Sequence, residues 1–251
     1  MIAAIDAGNS RIKWGLHDGR DWAACGVLAT ADVAWLKEAV EDWPKDALVV
    51  VCNVAGVAIG REIDALLTRL QRTAIHFCAS SECCDVLNGY DAPSQLGADR
   101  WAALVGARGF CERDCLVVCA GTATTIDRLD ADGRFVGGVI LPGFDLMRSA
   151  LAGNTAQLPL AEGELREMPT NTMDAIVSGC FNAQLGAIER MFSPLSDLAG
   201  ACCLITGGAA PRLLPHLRVP VRHEENLILS GLVRYANSLV ANGGECLPPE
   251  S

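Results

Sequence analysis

Met1-Ile2-Ala3-Ala4-Ile5-Asp6-Ala7-Gly8-Asn9-Ser10-Arg11-Ile12-Lys13 carries the pattern that decides the fold. Met1 to Asp6 is a short apolar run with β-branched residues, which favour a strand. Ala7-Gly8-Asn9 is a turn, and Arg11 to Leu16 is a second strand candidate. Asp18-Gly19 supplies residues that tolerate positive φ, the mark of a hairpin, and Trp22 to Leu28 follows as a third strand. Ala31 to Asp42 is predicted helical, with Val33, Leu36, Lys37 and Val40 on one face. Leu48 to Cys52 is a continuous apolar run of the kind buried on both faces of a sheet, and Ile59 to Leu70 is an amphipathic helix.

The middle of the chain repeats the pattern. Leu116 to Cys119 is an apolar strand ending in Ala120-Gly121-Thr122. Thr124 to Leu129 is the second strand, Asp132-Gly133 the turn, and Phe135 to Leu141 the third strand. Cys202 to Ile205 is a further buried strand, followed by Thr206-Gly207-Gly208-Ala209. Helices are predicted over Arg100 to Phe110, Asn171 to Met191, Pro211 to Leu217 and Leu227 to Leu239. Such a recurrence points to an internally duplicated α/β unit, with halves at 1–112 and 113–251. Turn dipeptides are common, so one mixed sheet with chance turns is the rival reading.

Composition narrows the function. Among 251 residues, 51% are hydrophobic and 20% charged, enough for a substantial core. The net charge of −10 repels phosphate backbones and argues against nucleic acid as a partner. No run approaches the roughly 18 apolar residues of a membrane helix, and Asp6 comes too early for a signal peptide, so a cytoplasmic location is expected. The 12 cysteines include no CxxC spacing and are read as small buried hydrophobes.

Three motifs carry chemistry. In Asp6 to Lys13, Gly8 lets the backbone approach phosphate oxygens, Asn9 and Ser10 can donate to them, and Lys13 adds positive charge. Asp6, at the end of a buried strand, is placed to hold Mg²⁺. The bland alternative is an ordinary hairpin. Gly121-Thr122-Ala123-Thr124-Thr125-Ile126-Asp127 repeats this logic with hydroxyl donors, against the alternative of a Thr-rich strand. In Gly97-Ala98-Asp99-Arg100-Trp101, Asp99 falls where a helix begins. It is either a helix cap or a general base beside Arg100, which can clamp a substrate carboxylate.

The ordered set Asp6-x-Gly-Asn-Ser, Tyr90 with Pro93, Gly97 to Trp101, Gly121-Thr122-Ala123-x-Thr-x-Asp127, Gly137-Gly138 and Pro142-Gly143 resembles type III pantothenate kinase. The likeness runs from Met1 to about Leu239, within the superfamily of sugar kinases, actin and the heat-shock ATPases. A close relative with the same motifs, the Bvg accessory factor, serves virulence gene expression in some bacteria. The resemblance implies two ribonuclease H-like halves with a cleft between them. It also implies transfer of the γ-phosphate of ATP to pantothenate, the first step of coenzyme A synthesis.

On that resemblance, Asp6, Ala7, Gly8, Asn9, Ser10, Arg11, Ile12 and Lys13 form the ATP loop, with Asp6 near Mg²⁺. Gly121 and Thr122 hold phosphates, and Gly207-Gly208 lies near the nucleotide. Tyr90, Gly97, Ala98, Asp99, Arg100 and Thr172 line the pantothenate pocket, and Asp99 accepts the proton. A homodimer is implied too. The stripe Ile176, Val177, Phe181, Leu185 and Ile188 hints at it only weakly, being more often core.

One departure stands out. Where much of the family has an Asp that helps hold a monovalent cation (K⁺ or NH₄⁺), this chain has Cys119. A neutral thiol is a poor ligand for a hard cation, so a weakened or lost potassium requirement is expected. Two rival functions are a related small-molecule kinase and a non-catalytic regulator that kept the fold. His17, His76, His216 and His223 have no evident catalytic partner.

Overall fold

The computed structural model describes residues 1–241. They divide into two compact units, Met1–Glu112 with Gly133–Phe135 and residues 226–241, and Arg113–Asp132 with Val136–Glu225. One boundary between these units falls between Glu112 and Arg113. The C-terminal helix, however, belongs with the first unit rather than with the second.

In the first unit, β1 (Ile2–Ala7), β2 (Arg11–His17), β3 (Trp22–Ala29), β4 (Leu48–Asn53) and β5 (Ala74–His76) form one sheet in the order β3-β2-β1-β4-β5. β1 pairs antiparallel with β2 and parallel with β4. Gly19 has φ of 107°, which only glycine adopts cheaply, so the Asp18-Gly19 hairpin forms as predicted. Every residue of β1 is buried, as a central strand requires. The helix predicted over Ala31 to Asp42 is broken: a 3₁₀ segment over Thr30–Trp35 precedes α1 (Leu36–Glu41), because Asp32 leaves helical geometry (φ −102°, ψ 25°). α2 (Val57–Arg69) buries Ile63, Leu66 and Leu67 against the sheet core of Ile5, Ile12, Val49 and Val51. Each such side chain contributes about 1.5–3 kcal/mol. A hairpin of β6 (Glu82–Cys83) and β7 (Val86–Leu87) and a helix, α3 (Ala98–Phe110), complete this stretch.

The second unit repeats the sheet. β8 (Cys115–Ala120), β9 (Ala123–Leu129), β10 (Phe135–Pro142), β11 (Cys202–Thr206) and β12 (Val221–His223) lie in the order β10-β9-β8-β11-β12. β8 is antiparallel to β9 and parallel to β11, as β1 is to β2 and β4. Two helices cover it, α4 (Phe144–Asn154) and α5 (Thr172–Phe192). The expected apolar stripe of α5 is core: Ile176, Val177, Leu185 and Ile188 are buried, and Phe181 packs against them. The predicted helix Pro211 to Leu217 shrinks to α6 (Ala210–Leu213) and a 3₁₀ turn over Leu214–His216.

The last helix, α7 (Leu227–Ala241), returns to the first unit and packs on α3. A Cβ on Gly106 would lie 2.2 Å from the Leu227 carbonyl oxygen, and one on Gly231 only 1.9 Å from that of Ala102. Glycine in mid-helix costs about 1 kcal/mol in propensity. Here it lets the two backbones touch. No helix among the described residues is long and apolar enough to cross a membrane.

The blanket reading of the cysteines needs correction. Cys52, Cys111, Cys115, Cys180 and Cys203 are buried, but Cys25 and Cys78 are exposed and Cys83, Cys84, Cys119 and Cys202 half-buried. Cys246 lies outside the described residues.

Candidate active site

The end of β1 sets the first group. Asp6 faces Lys13 across the β1–β2 ladder, and Ala7 faces Ile12. The turn between them closes with Gly8 N–H donating to Arg11 O at 3.0 Å. Thr30, a residue that sequence reasoning missed, ties the turn from the side: its hydroxyl donates to Gly8 O at 2.7 Å and its N–H to Ser10 O at 3.1 Å. Asn9, Ser10 and Arg11 are exposed at the tip. Ala7 and Ile12 have core side chains, so only their backbone groups are available to a ligand.

The Asp6 carboxyl is buried, and its Oδ1 has no hydrogen-bond partner. Burial first and the charge of Asp99 second raise its pKa to about 7, against the opposing charge of Lys13. Cys52, paired with Asp6 across β1–β4, reports the same field: its thiol is pushed well up by burial, then by Asp6 and Asp99. The charge of Asp99, in the first turn of α3, is therefore felt at the end of β1.

Asp99 is not the helix cap. The N-cap is Gly97, and Asp99 Oδ1 accepts from the Arg100 N–H at 2.8 Å. A Cβ on Gly97 would sit 2.7 Å from Asp99 Oδ1. A side chain there would push the Asp99 carboxylate aside.

Arg100 has its own contacts. It is 5% exposed, and its Nη1 donates to Tyr90 Oη at 2.7 Å. Its guanidinium lies over the rings of Tyr90 and Phe135, at 5.5 and 5.7 Å from their centroids. Tyr90 is itself positioned by Asn88, whose Oδ1 accepts from the Tyr90 N–H at 3.1 Å. Phe135 was predicted only as a strand residue, and no local signal marks it as an Arg100 neighbour 35 positions away.

The second unit builds an equivalent turn. Cys119 faces Thr125 and Ala120 faces Thr124, while Gly121 N–H donates to Ala123 O at 3.0 Å. Cys119 thus occupies the place in this sheet that Asp6 has in the first. Two glycines press on the turn. Gly143, at the N-terminus of α4, donates to Thr122 O at 2.8 Å, and its Cβ would meet Gly121 O at 2.1 Å. Gly207 has φ of 101° and would place a Cβ 2.3 Å from Ala120 O. Thr122 is exposed at the tip. Thr172 is exposed at the start of α5, on a groove of about 1040 Å³ lined by Met147, Leu151, Leu158 and Ile176.

The first unit therefore brings together Asp6, Lys13, Asp99, Arg100 and Tyr90, and the second carries Gly121, Thr122 and Thr172. A divalent cation fits the Asp6 end of this set. A buried carboxylate with an unsatisfied oxygen, within the field of a second carboxylate, is relieved by positive charge. No cluster of three or more His, Cys, Asp or Glu able to hold a metal occurs among the described residues. An ion at Asp6 must take its remaining ligands from water and substrate phosphates, which is the habit of Mg²⁺.

This fold is shared by several solved structures. A Baf family transcriptional activator of Campylobacter jejuni superposes with a TM-score of 0.61 at 22% identity, over 97% of this chain and all of the other. A 2-dehydro-3-deoxygalactonokinase of Sinorhizobium meliloti gives 0.59 at 16% identity, over 95% and 99% of the two chains. MreB5 of Spiroplasma citri gives 0.53 at 10% identity, over 98% of each. The class is thus the two-domain actin-like and sugar-kinase ATPase fold.

Sequence narrows the class. The family model for type III pantothenate kinase matches residues 2–194. Type III pantothenate kinases of Aromatoleum aromaticum and Dechloromonas aromatica are 56% and 49% identical to the chain. Each alignment covers 92% of this chain, with 96% and 97% of the respective relatives. The chain belongs to the type III pantothenate kinase family.

Proposed function

We propose that this chain phosphorylates pantothenate with ATP, with Asp99 as the proton acceptor. Family membership makes the reaction the ATP-dependent phosphorylation of pantothenate on the way to coenzyme A. The observation that supports the residue assignment is the buried Asp6 carboxyl at the end of β1, with one oxygen unpartnered and within the field of Asp99. Asp6 is buried and metal-seeking, and Asp99 is half-buried at the open end of α3.

In this reading Asp6 holds Mg²⁺, which when bound neutralises charge on the transferring phosphoryl group. The Gly8–Ser10 turn and the Gly121–Thr122 turn offer backbone N–H and hydroxyl donors to ATP phosphates, with Lys13 adding charge. Arg100, hydrogen-bonded to Tyr90 and lying over the Phe135 ring, receives the pantothenate carboxylate, because a guanidinium fork matches a carboxylate bidentately. Gly97 and Ala98 leave room for the substrate, and Thr172 adds a polar contact. Asp99 takes the proton of the primary hydroxyl as its oxygen attacks the γ-phosphorus of ATP in line. The P–O bond to ADP breaks as the new P–O bond forms. Most of the acceleration comes from positioning and charge neutralisation.

The protein acts as a homodimer in the cytoplasm, as the family resemblance implies. Cys119 removes the carboxylate that would hold K⁺ or NH₄⁺, so turnover proceeds without a monovalent cation. Purified protein, ATP, Mg²⁺ and pantothenate, with and without K⁺, test the whole reading. Phosphopantothenate formed in both conditions is the expected result. Product only with K⁺ rejects the account of Cys119. No product from folded protein in either condition rejects the kinase for this chain in favour of the non-catalytic role.

A further inference from the structure

Cys83 and Cys84 are adjacent in sequence and close the β6–β7 hairpin. Glu82 pairs with Leu87 and Cys83 with Val86, so Cys84 and Asp85 are the two turn residues. Both have left-handed backbones, with φ of 49° and 62°. A two-residue turn of this kind prefers Asn-Gly or Asp-Gly. A half-buried cysteine at its first position is a local violation, which is where functional constraint is sought. The turn brings the two sulfurs to 3.6 Å, with the Cys83 thiol donating to Cys84 Sγ. Arg234 of α7 donates to Cys84 O at 3.1 Å and lies 3.8 Å from the Asp85 carboxylate, so a fixed positive charge stands beside the turn.

We propose that Cys83–Cys84 is a redox-active dithiol that undergoes exchange with low-molecular-weight disulfides such as oxidised glutathione. The Cys84 thiolate attacks one sulfur of the small disulfide. A new S–S bond forms, and the other half leaves as a thiolate that takes up a proton. Cys83 then gives up its proton and attacks Cys84 Sγ, the mixed disulfide breaks, and the second small thiol leaves. The protein dithiol loses two electrons and two protons, and one small disulfide becomes two thiols.

The division of labour between the two sulfurs has a physical cause. The hydrogen bond from Cys83 lowers the Cys84 thiol to about 6, against burial, with Ser238 and Arg234 assisting. The same bond, with burial, pushes Cys83 above the ordinary thiol range. Cys84 is therefore the attacking thiolate and Cys83 the resolving thiol. The other adjacent pair, Cys202-Cys203, lacks this arrangement: Cys203 is buried in the sheet, and burial drives its thiol up to about 12. The proposal stands independently of the kinase reading.

The test is oxidation of the intact protein by oxidised glutathione, quenched with iodoacetamide and mapped by peptide mass. In wild type the peptide holding both residues should lose two hydrogens and resist alkylation. Cys83→Ser should stop at one glutathione on Cys84. Cys84→Ser should react at Cys83 at least roughly 10-fold more slowly, since burial, which the substitution leaves in place, keeps the Cys83 thiolate scarce. Wild-type alkylation without oxidant, which needs no variant to fold, should modify Cys84 first at pH 7. The proposal is overturned if both variants react alike, if Cys84 alkylates no faster than exposed Cys25 and Cys78, or if those two take up glutathione while the pair stays alkylated.

Discussion

Asp6 lies buried within the field of Asp99: burial first, and the Asp99 carboxylate second, raise its pKa to about 7. Without a cation, the folded protein keeps a proton on Asp6 that the unfolded chain releases near 3.8. The folded state then binds more protons between those values, so this group's contribution to stability falls as pH rises from about 4 to about 7. The full shift is worth on the order of 4 kcal/mol.

Asp6→Asn removes that dependence. Urea midpoints of the Mg²⁺-free protein at pH 5 and pH 8 should differ more for wild type than for the variant. The variant should be the more stable of the two at pH 8 and lose measurable kinase activity. Equal pH slopes would show that Asp6 is not buried as a free carboxyl.

Asp99→Asn should leave the fold and the KM for ATP nearly unchanged. Its kcat should fall about 10²–10⁴-fold, the range for loss of a general base. Steady-state kinetics with ATP and pantothenate varied separately measure this. A variant that turns over at the wild-type rate assigns the proton to another acceptor.

Arg100→Lys keeps the charge but loses the planar fork and its stacking on Tyr90 and Phe135. The KM for pantothenate should rise about 10–100-fold, matching roughly 1.5–3 kcal/mol for hydrogen bonds to a charged group. For the alcohol analogue of pantothenate, which lacks the carboxylate, the loss should be far smaller. Equal losses for both substrates would separate Arg100 from the carboxylate.

Gly143→Ala tests the close approach of α4 to the Gly121–Thr122 turn. Gly143 has φ of −67°, so alanine suffers no backbone strain. The penalty is steric alone, from the 2.1 Å approach to Gly121 O. Overpacking of this kind costs about 1–3 kcal/mol. That lowers Tm by roughly 2–4 °C per kcal/mol in a chain of this size. The KM for ATP should rise with it, and an unchanged Tm would mean the turn yields freely.

Cys119→Asp restores an oxygen ligand at the place in the second sheet that matches Asp6. Wild-type turnover should be the same with and without K⁺, and the variant should gain a dependence on it. Initial rates in K⁺ and in a tetramethylammonium salt at equal ionic strength separate a specific ion from general screening.

Strand periodicity, the Asp-Gly turns and the Gly-rich strand ends are local signals. They were enough to read both hairpin meanders, the long helix α5 and the candidate phosphate turns. Elements too short to show a period were missed: β5 and β12 have three residues each, and β6 and β7 two. α4 escaped because it has no buried stripe beyond Phe144.

Residue chemistry along the chain settled the family, the repeated strand–turn–strand unit and the types of group the reaction requires, because these depend on neighbours a few positions apart. Tertiary structure alone decided that Gly97 rather than Asp99 caps α3, that the charge of Asp99 reaches buried Asp6, and that Phe135 closes over Arg100. It also assigned α7 to the first unit through Gly106 and Gly231. Those outcomes follow from which distant backbones approach within a few ångströms, and close packing of that kind leaves no periodic trace in a linear sequence.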